Sequence, residues 1–352
     1  MSARVAVVGA TGAVGQELRR LLETRDFPVD GEPVFLASAR SAGTTLPWKD
    51  GEVEVRELTG DNLQDVDIAL FSAGGARSKE FGPVAAEHGA VVVDNSSAFR
   101  MDPEVPLVVA EVNPSAIDDR PKGIIANPNC TTMVLMVPVR PLHDAFGLTE
   151  MVATSYQAAG GAGMSGISAL LEETQKLLGD PDRLRFDGAG AEASIEPMQF
   201  SKVIAFNVLP HAGNFTDARH TDEEWKLVNE SRKILDIPEL KVAPTCVRVP
   251  VLVGHAIQAR LTFASEVTRD AALDAMDGFP GMRIVDGVDS EGEELAYPTP
   301  LASAGIDDVL VGRVREDLHD SHSLNLFVAG DNLLKGAALN TVQLAELVLD
   351  RS

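Results

Sequence analysis

Cys130 stands in the run NPNCTT, between an asparagine-proline turn and an apolar stretch that reads as a helix. A thiol at a helix start meets unpaired backbone N–H groups and the positive end of the helix dipole, which stabilise the thiolate and make it a nucleophile. Asn129 beside it carries an amide able to donate to an oxyanion or a phosphate oxygen. Spacing alone accommodates equally a cysteine that fills a core as a small hydrophobe, and both readings stand at this level. Cys246, in the strand-like APTCVRVPV, reads as core filling. A second chemistry lies in VAVVGATGAVGQEL, where Gly9, Gly12 and Gly15, with Thr11, Ala13 and Val14 between them, join a strand to a helix. Such a loop permits a tight turn, close backbone approach to a pyrophosphate and helix-to-strand packing. Its GxxGxxG spacing varies the usual dinucleotide fingerprint, and a purely structural turn is the alternative. After the next strand, FLASARSAG offers Ser38, Arg40 and Ser41 where an NAD site carries an acid. A guanidinium there pairs with a 2′-phosphate, so NADP is the expected cofactor, against an ordinary solvated arginine. His319 and His322 have a spacing open to metal ligation, but no cysteine or histidine cluster accompanies them; they read as surface residues, and no metal is expected.

The elements that must position these residues follow from patterning. RVAVVG, PVFLAS, VDIALFSA, AVVVDNS, VPLVVAEV and GIIANP read as buried strands, with AVGQELRRLLE and SKEFGPVAAEHG as helices between them. Continuous apolar strands separated by helices require a parallel sheet covered on both faces, hence a doubly wound, Rossmann-like α/β domain. From CTTMVLMVPVRPLHDAF onward the texture changes to longer strands of a half-exposed sheet (MVATSYQA, KVAPTCVRVPV, GHAIQARLTFAS, SLNLFVAGD) and the helix MSGISALLEETQKLLG, an α+β domain. KGAALNTVQLAELVL reads as a last helix returning to the first sheet. The expected division is 1–128, completed by 332–352, for cofactor binding, and 129–331 for catalysis and dimerisation. The 352 residues, 45% of them hydrophobic, suffice for two cores. A formal net charge of −23 disfavours nucleic acid and anionic membrane as partners. Two distant cysteines, no charged-then-apolar leader and no apolar run long enough to span a membrane predict a cytoplasmic protein acting on a small molecule.

Taken together, GATGAVG, LASARSAG, VVVDNSSAFRM, NPNCTT, SYQAAGGAG, TDEEWK, RVPVLVGHA and GDNLLKGAALNTVQ resemble, in order and spacing, the bacterial aspartate-β-semialdehyde dehydrogenases over essentially the whole chain. The resemblance implies a two-domain fold of the glyceraldehyde-3-phosphate dehydrogenase kind and a homodimer. The implied reaction is NADP-dependent reductive dephosphorylation of L-aspartyl 4-phosphate to L-aspartate 4-semialdehyde, on the route to lysine, threonine and methionine. It also implies roles: Cys130 as the nucleophile that forms a thioester, His255 as an acid/base titrating near neutrality, and Gln157 orienting the acyl group. Arg248 would clamp the substrate α-carboxylate and Glu223 its ammonium. Lys226 would join Arg100 and Asn129 around the phosphate, with hydroxyls from Ser96 and Ser97 in support, making Arg100, Lys226 and Arg248 a positive island. Gly160, Gly161 and Asn332 would contact the cofactor. The rivals are N-acetyl-γ-glutamyl-phosphate reductase, whose substrate lacks the ammonium that Glu223 would meet, and a catalytically silent NADP-binding relative. LLGDPDRLRFDGAGAEASIEP carries no assigned chemistry.

Overall fold

The computed structural model describes residues 2–288 and 295–351. Two compact units emerge: one takes in the chain up to Arg140, Asn229–Glu239 and the residues from Leu333 on; the other holds Pro141–Val228 and Leu240–Asn332. The first unit thus runs past the expected boundary to Arg140 and gains, from the middle of the chain, the end of helix Asp222–Leu235 and the residues on to Glu239.

Its sheet has strands β1 (Val5–Val8), β2 (Val34–Ala37), β3 (Thr45–Trp48), β4 (Gly51–Glu57), β5 (Ile68–Phe71), β6 (Val91–Asp94) and β7 (Ile124–Ala126), in the order β3-β4-β2-β1-β5-β6-β7. All pairings are parallel except β3 with β4. β1, β2 and β5 are buried along their whole length, as a sheet covered on both faces demands. On one face Leu18, Leu21 and Leu22 of helix Ala13–Thr24 share a core with Leu339, Val342 and Val348 of the C-terminal helix Leu339–Asp350. Because β2 and β5 leave β1 on opposite sides, the order reverses beside β1, the place where doubly wound sheets receive ligands.

VPLVVAEV is not a strand. Leu107 makes a single bridge to Ala126, and otherwise the segment turns. Asn113 explains it: its side chain accepts the Val109 N–H and donates to the Leu107 carbonyl, offering the backbone an alternative to a ladder.

The second unit carries β8 (Leu148–Gln157), β9 (Lys241–Arg248), β10 (His255–Phe263), β11 (Met282–Ile284), β14 (Val309–Glu316) and β15 (Ser323–Gly330), in the order β11-β14-β15-β10-β8-β9, and a small pair, β12 (Gly287–Val288) with β13 (Leu295–Ala296). On one face Ala153, Ile257, Leu261 and Val328 are fully buried; on the other Val152, Gln258, Asn325 and Phe327 remain partly exposed. The looser stretch expected at 180–197 forms two short helices, Pro181–Phe186 and Gly188–Ala193, capped by the side chains of Asp180 and Asp187.

Candidate active site

In the first unit β1 runs into Gly9, whose φ of +90° favours glycine, and a Cβ there would stand 2.4 Å from the Ser72 carbonyl oxygen. At Gly15 a Cβ would stand 2.1 Å from the Gly9 oxygen. Gly12 caps helix Ala13–Thr24 with extended backbone and no side-chain hydrogen bond, so Thr11, Ala13 and Val14 line an accessible helix start whose N–H groups no side chain caps. After β2, the Ser41 N–H donates to the Ser38 oxygen, and the turn carries Arg40, exposed and in no salt bridge among the described residues. A dinucleotide fits this loop: glycines where backbone must approach, and donors at a helix N-terminus that no side chain caps.

Cys130, half-buried and in no disulfide, is the first residue of helix Cys130–Phe146. Asn129 caps that helix: its Oδ1 accepts the Thr131 N–H at 2.9 Å and its backbone oxygen accepts the Met133 N–H. Glu230, buried, accepts the Asn129 N–H at 2.7 Å on one oxygen and Arg100 Nη1 at 3.0 Å on the other. Arg100 also donates from Nε to the Asn127 oxygen and from Nη2 to the Asn95 oxygen. Lys233 donates to the carbonyls of Arg100, Asp102 and Val105, and burial pulls its ammonium below the usual lysine range. Glu230 and Lys233 escaped the sequence reading, although Glu223, Lys226, Glu230 and Lys233 repeat at three- and four-residue steps along one helical stripe. Ser96 does not offer a free hydroxyl; it donates to Asp94 Oδ2 at 2.7 Å.

In the second unit, strand register does the assembling. Gln157 pairs with Arg248 across β8 and β9, while Ala256 pairs with Tyr156 across β10 and β8, which sets His255 at the same end of the sheet. The chain between β9 and β10 turns at Gly254, with φ +97° and its N–H given to Asn332 Oδ1 at 2.9 Å. His255 Nδ1 accepts the Ala158 N–H at 3.1 Å, so the neutral ring carries its proton on Nε2. The expectation that His255 titrates near neutrality does not hold. It is fully buried, and burial first, then the Arg248 charge, push its pKa down to about 3, against a smaller upward pull from Glu223.

Arg248 Nη1 donates to the Ala158 oxygen at 3.0 Å, the guanidinium stands 5.8 Å from the Phe200 ring centroid, and no carboxylate pairs with it among the described residues. It borders a cavity of about 370 Å³ lined also by Phe200, Ser201, His211, Gly213 and Asn214. In the first unit Arg100 is matched by Glu230; in the second Lys226 is matched by Glu223, 2.5 Å away, whereas Arg248 has no such partner among the described residues. Glu224 is spent on the scaffold, accepting the N–H groups of Thr221 and Cys246, whereas the Glu223 side chain packs against Gly213 of the cavity. A Cβ on Gly161 would meet Arg248 Nη1 at 2.6 Å and His255 Cε1 at 3.0 Å; one on Gly160 would meet the Leu252 oxygen. Asn332 is buried, and its Nδ2 finds no partner among the described residues. Cys246 is buried, its thiol pushed up to about 12 by desolvation, which suits a packing role. His319 is exposed and His322 half-buried, and among the described residues no group of three or more acidic, histidine or cysteine side chains could hold a metal ion.

Residues 4–120 match the family "Semialdehyde dehydrogenase, NAD binding domain", and residues 139–335 match "Semialdehyde dehydrogenase, dimerisation domain". The chain is 52% identical over 347 residues to an aspartate-semialdehyde dehydrogenase of Streptomyces akiyoshiensis, covering 98% of each, and 49% identical over 352 residues to that of Corynebacterium glutamicum, covering 98% of this chain and 99% of the relative. The chain belongs to the aspartate-semialdehyde dehydrogenase family. Among solved structures of the family, aspartate semialdehyde dehydrogenase II of Vibrio cholerae complexed with ASA is similar with a TM-score of 0.91, 42% identity and 99% coverage of both chains. An NAD(P)-binding domain and a domain of the family's dimerisation type are thus both present. No helix among the described residues is long and apolar enough to cross a membrane.

Proposed function

We propose that this chain carries out NADP-dependent reductive dephosphorylation of L-aspartyl 4-phosphate to L-aspartate 4-semialdehyde, as a cytoplasmic homodimer supplying lysine, threonine and methionine synthesis. The observation that carries the reading is Arg248: a cation with no carboxylate partner among the described residues, bordering a cavity beside His255 and Glu223, suits a small substrate with an α-carboxylate and an ammonium. Cys130 attacks the β-carbonyl carbon as the thiolate; the C–O bond to phosphate breaks, inorganic phosphate leaves with that electron pair, and a thioester remains. When bound, the dinucleotide supplies the hydride that reduces this thioester. His255, neutral, donates from Nε2–H to the substrate oxygen as its charge develops. Collapse breaks the C–S bond and releases semialdehyde and thiolate. Gln157 orients the acyl group. The phosphate meets Asn129 through Nδ2, since Oδ1 serves the helix cap, together with Arg100 and Lys226. Glycines 9, 12 and 15 admit the pyrophosphate, Arg40 with Ser38 and Ser41 selects the 2′-phosphate, and Asn332 Nδ2 with the Gly160–Gly161 backbone serves the nicotinamide end. Two cysteines, neither in a disulfide, suit a reducing compartment. The half-exposed sheet face, where Tyr156 and Phe327 stack at 6.1 Å, suits a second copy of the chain. The test is to supply semialdehyde, phosphate and NADP and follow absorbance of the reduced cofactor. Cys130→Ala should abolish turnover while NADP still binds, and unchanged turnover would overturn the mechanism.

A further inference from the structure

The wall of the Arg248 cavity has an unusual support. Phe200 and Ser201, which line it, belong to the stretch from Glu196 to Val208, which contains no helix or strand. At its far end the stretch is fixed by the bridge of Leu209 to Arg248, each N–H donating to the other's oxygen. Behind it, the Glu173 side chain rises from helix Met164–Leu177 and is fully buried. Glu173 Oε1 accepts the Met198 N–H at 3.1 Å, and Oε2 accepts those of Ile204 at 2.8 Å and Ala205 at 3.3 Å. One carboxylate therefore ties both sides of the Phe200–Ser201 segment to the same point.

We infer that Glu173 is a positioning residue for substrate selection: by gathering the N–H groups of Met198, Ile204 and Ala205 it holds Phe200 against the Arg248 guanidinium and fixes the width of the cavity that receives the amino-acid end of the substrate. The inference rests on the reading of Arg248 as the carboxylate clamp. A carboxylate suits this task because it accepts on both oxygens and donates on neither. Helix propensity or surface polarity offers no reason to bury an acid there, and no cation pairs with it among the described residues. Val203, Ile204 and Ala205 are packed in a core with Leu170 and Leu177, so the fold does not depend on the carboxylate alone.

Glu173→Gln keeps the shape but turns an NH₂ toward backbone donors, releasing one side of the segment. The full-length enzyme is assayed with semialdehyde, phosphate and NADP. The expected result is a rise of about 5–20-fold in the semialdehyde KM, with kcat and the phosphate and NADP KM values within about twofold, the signature of lost ground-state positioning. A second readout is independent of activity. Lys202 lies within the tethered segment, exposed, so trypsin should cut after it several-fold faster in Glu173→Gln than in the wild type, followed by mass spectrometry. Phe200→Ala, in a half-buried loop position, should reproduce the KM change with Glu173 intact. Unchanged cleavage at Lys202, or loosened cleavage with an unchanged semialdehyde KM, overturns the inference. Arg248→Lys separates the two claims: if it leaves the semialdehyde KM unmoved, the clamp reading fails, whereas a raised KM there with an unmoved one in Glu173→Gln and Phe200→Ala fails the positioning role alone.

Discussion

Removing the Glu230 carboxylate is the sharpest perturbation of the ground beneath Cys130. Its side chain is 2% exposed and joins Arg100, 9% exposed, at 3.0 Å, while its other oxygen takes the Asn129 N–H at 2.7 Å. Glu230→Ala leaves Arg100 as a buried cation short of its counter-charge, a loss of about 3–5 kcal/mol for breaking a buried pair from one side. At about 2–4 °C per kcal/mol for a cooperative unit of this size, the first unit should melt roughly 10 °C lower. Arg100→Leu strands Glu230 in the same way. The double variant should cost clearly less than the sum, with a coupling of about 2 kcal/mol or more, because each single change includes the penalty of the charge left behind. The assay is thermal unfolding of the four proteins without ligand. Additivity within about 0.5 kcal/mol, or a Glu230→Ala protein melting within about 2 °C of the wild type, would refute the reasoning. Activity should fall in parallel, since Asn129 caps the helix on which Cys130 is the first residue.

The histidine makes a pH prediction. Its folded pKa of about 3 lies below the unfolded value near 6.5, so the unfolded chain binds the extra proton between them. His255 therefore contributes stability in full above about pH 6.5 and loses it as pH falls toward 3, and His255→Asn should flatten that acid limb in an unfolding series. By the same token, kcat/KM of the free enzyme should show no inflection near 6.5 that vanishes in His255→Asn. Gly161→Ala puts a methyl 2.6 Å from Arg248 Nη1 and should raise the semialdehyde KM by about tenfold or more in steady-state assays at saturating NADP. Arg40→Ala should lower the preference for NADP over NAD, measured as a ratio of kcat/KM values, by about tenfold or more, and an unchanged ratio would remove Arg40 from cofactor choice.

Much of this was legible in the sequence because the signals were local. A continuous apolar run such as VAVV followed by spaced glycines specifies strand, turn and helix within a few residues, and Gly9 and Gly15 occupy positions where a Cβ would strike backbone. Motif order was enough for the family. What stayed hidden was decided by distant partners. VPLVVAEV has the composition of a buried strand, and only the reach of Asn113 back to Leu107 and Val109 turns it away from the ladder. The ionisation of His255 depends on how completely the second unit encloses it, which no spacing reveals. Glu230 and Glu173 look like solvated helix acids until the backbone N–H groups they collect are seen.

The C-terminal helix shares one core with the first helix and with β1 and β2. On a ribosome, the leading strands therefore emerge with an apolar face whose cover is encoded roughly 300 residues downstream, and at about 5–20 residues per second that face waits about 15–60 s. Nascent chains of this protein should thus engage holding chaperones until translation ends, and cutting off the last helix should yield aggregates rather than a soluble nucleotide-binding fragment.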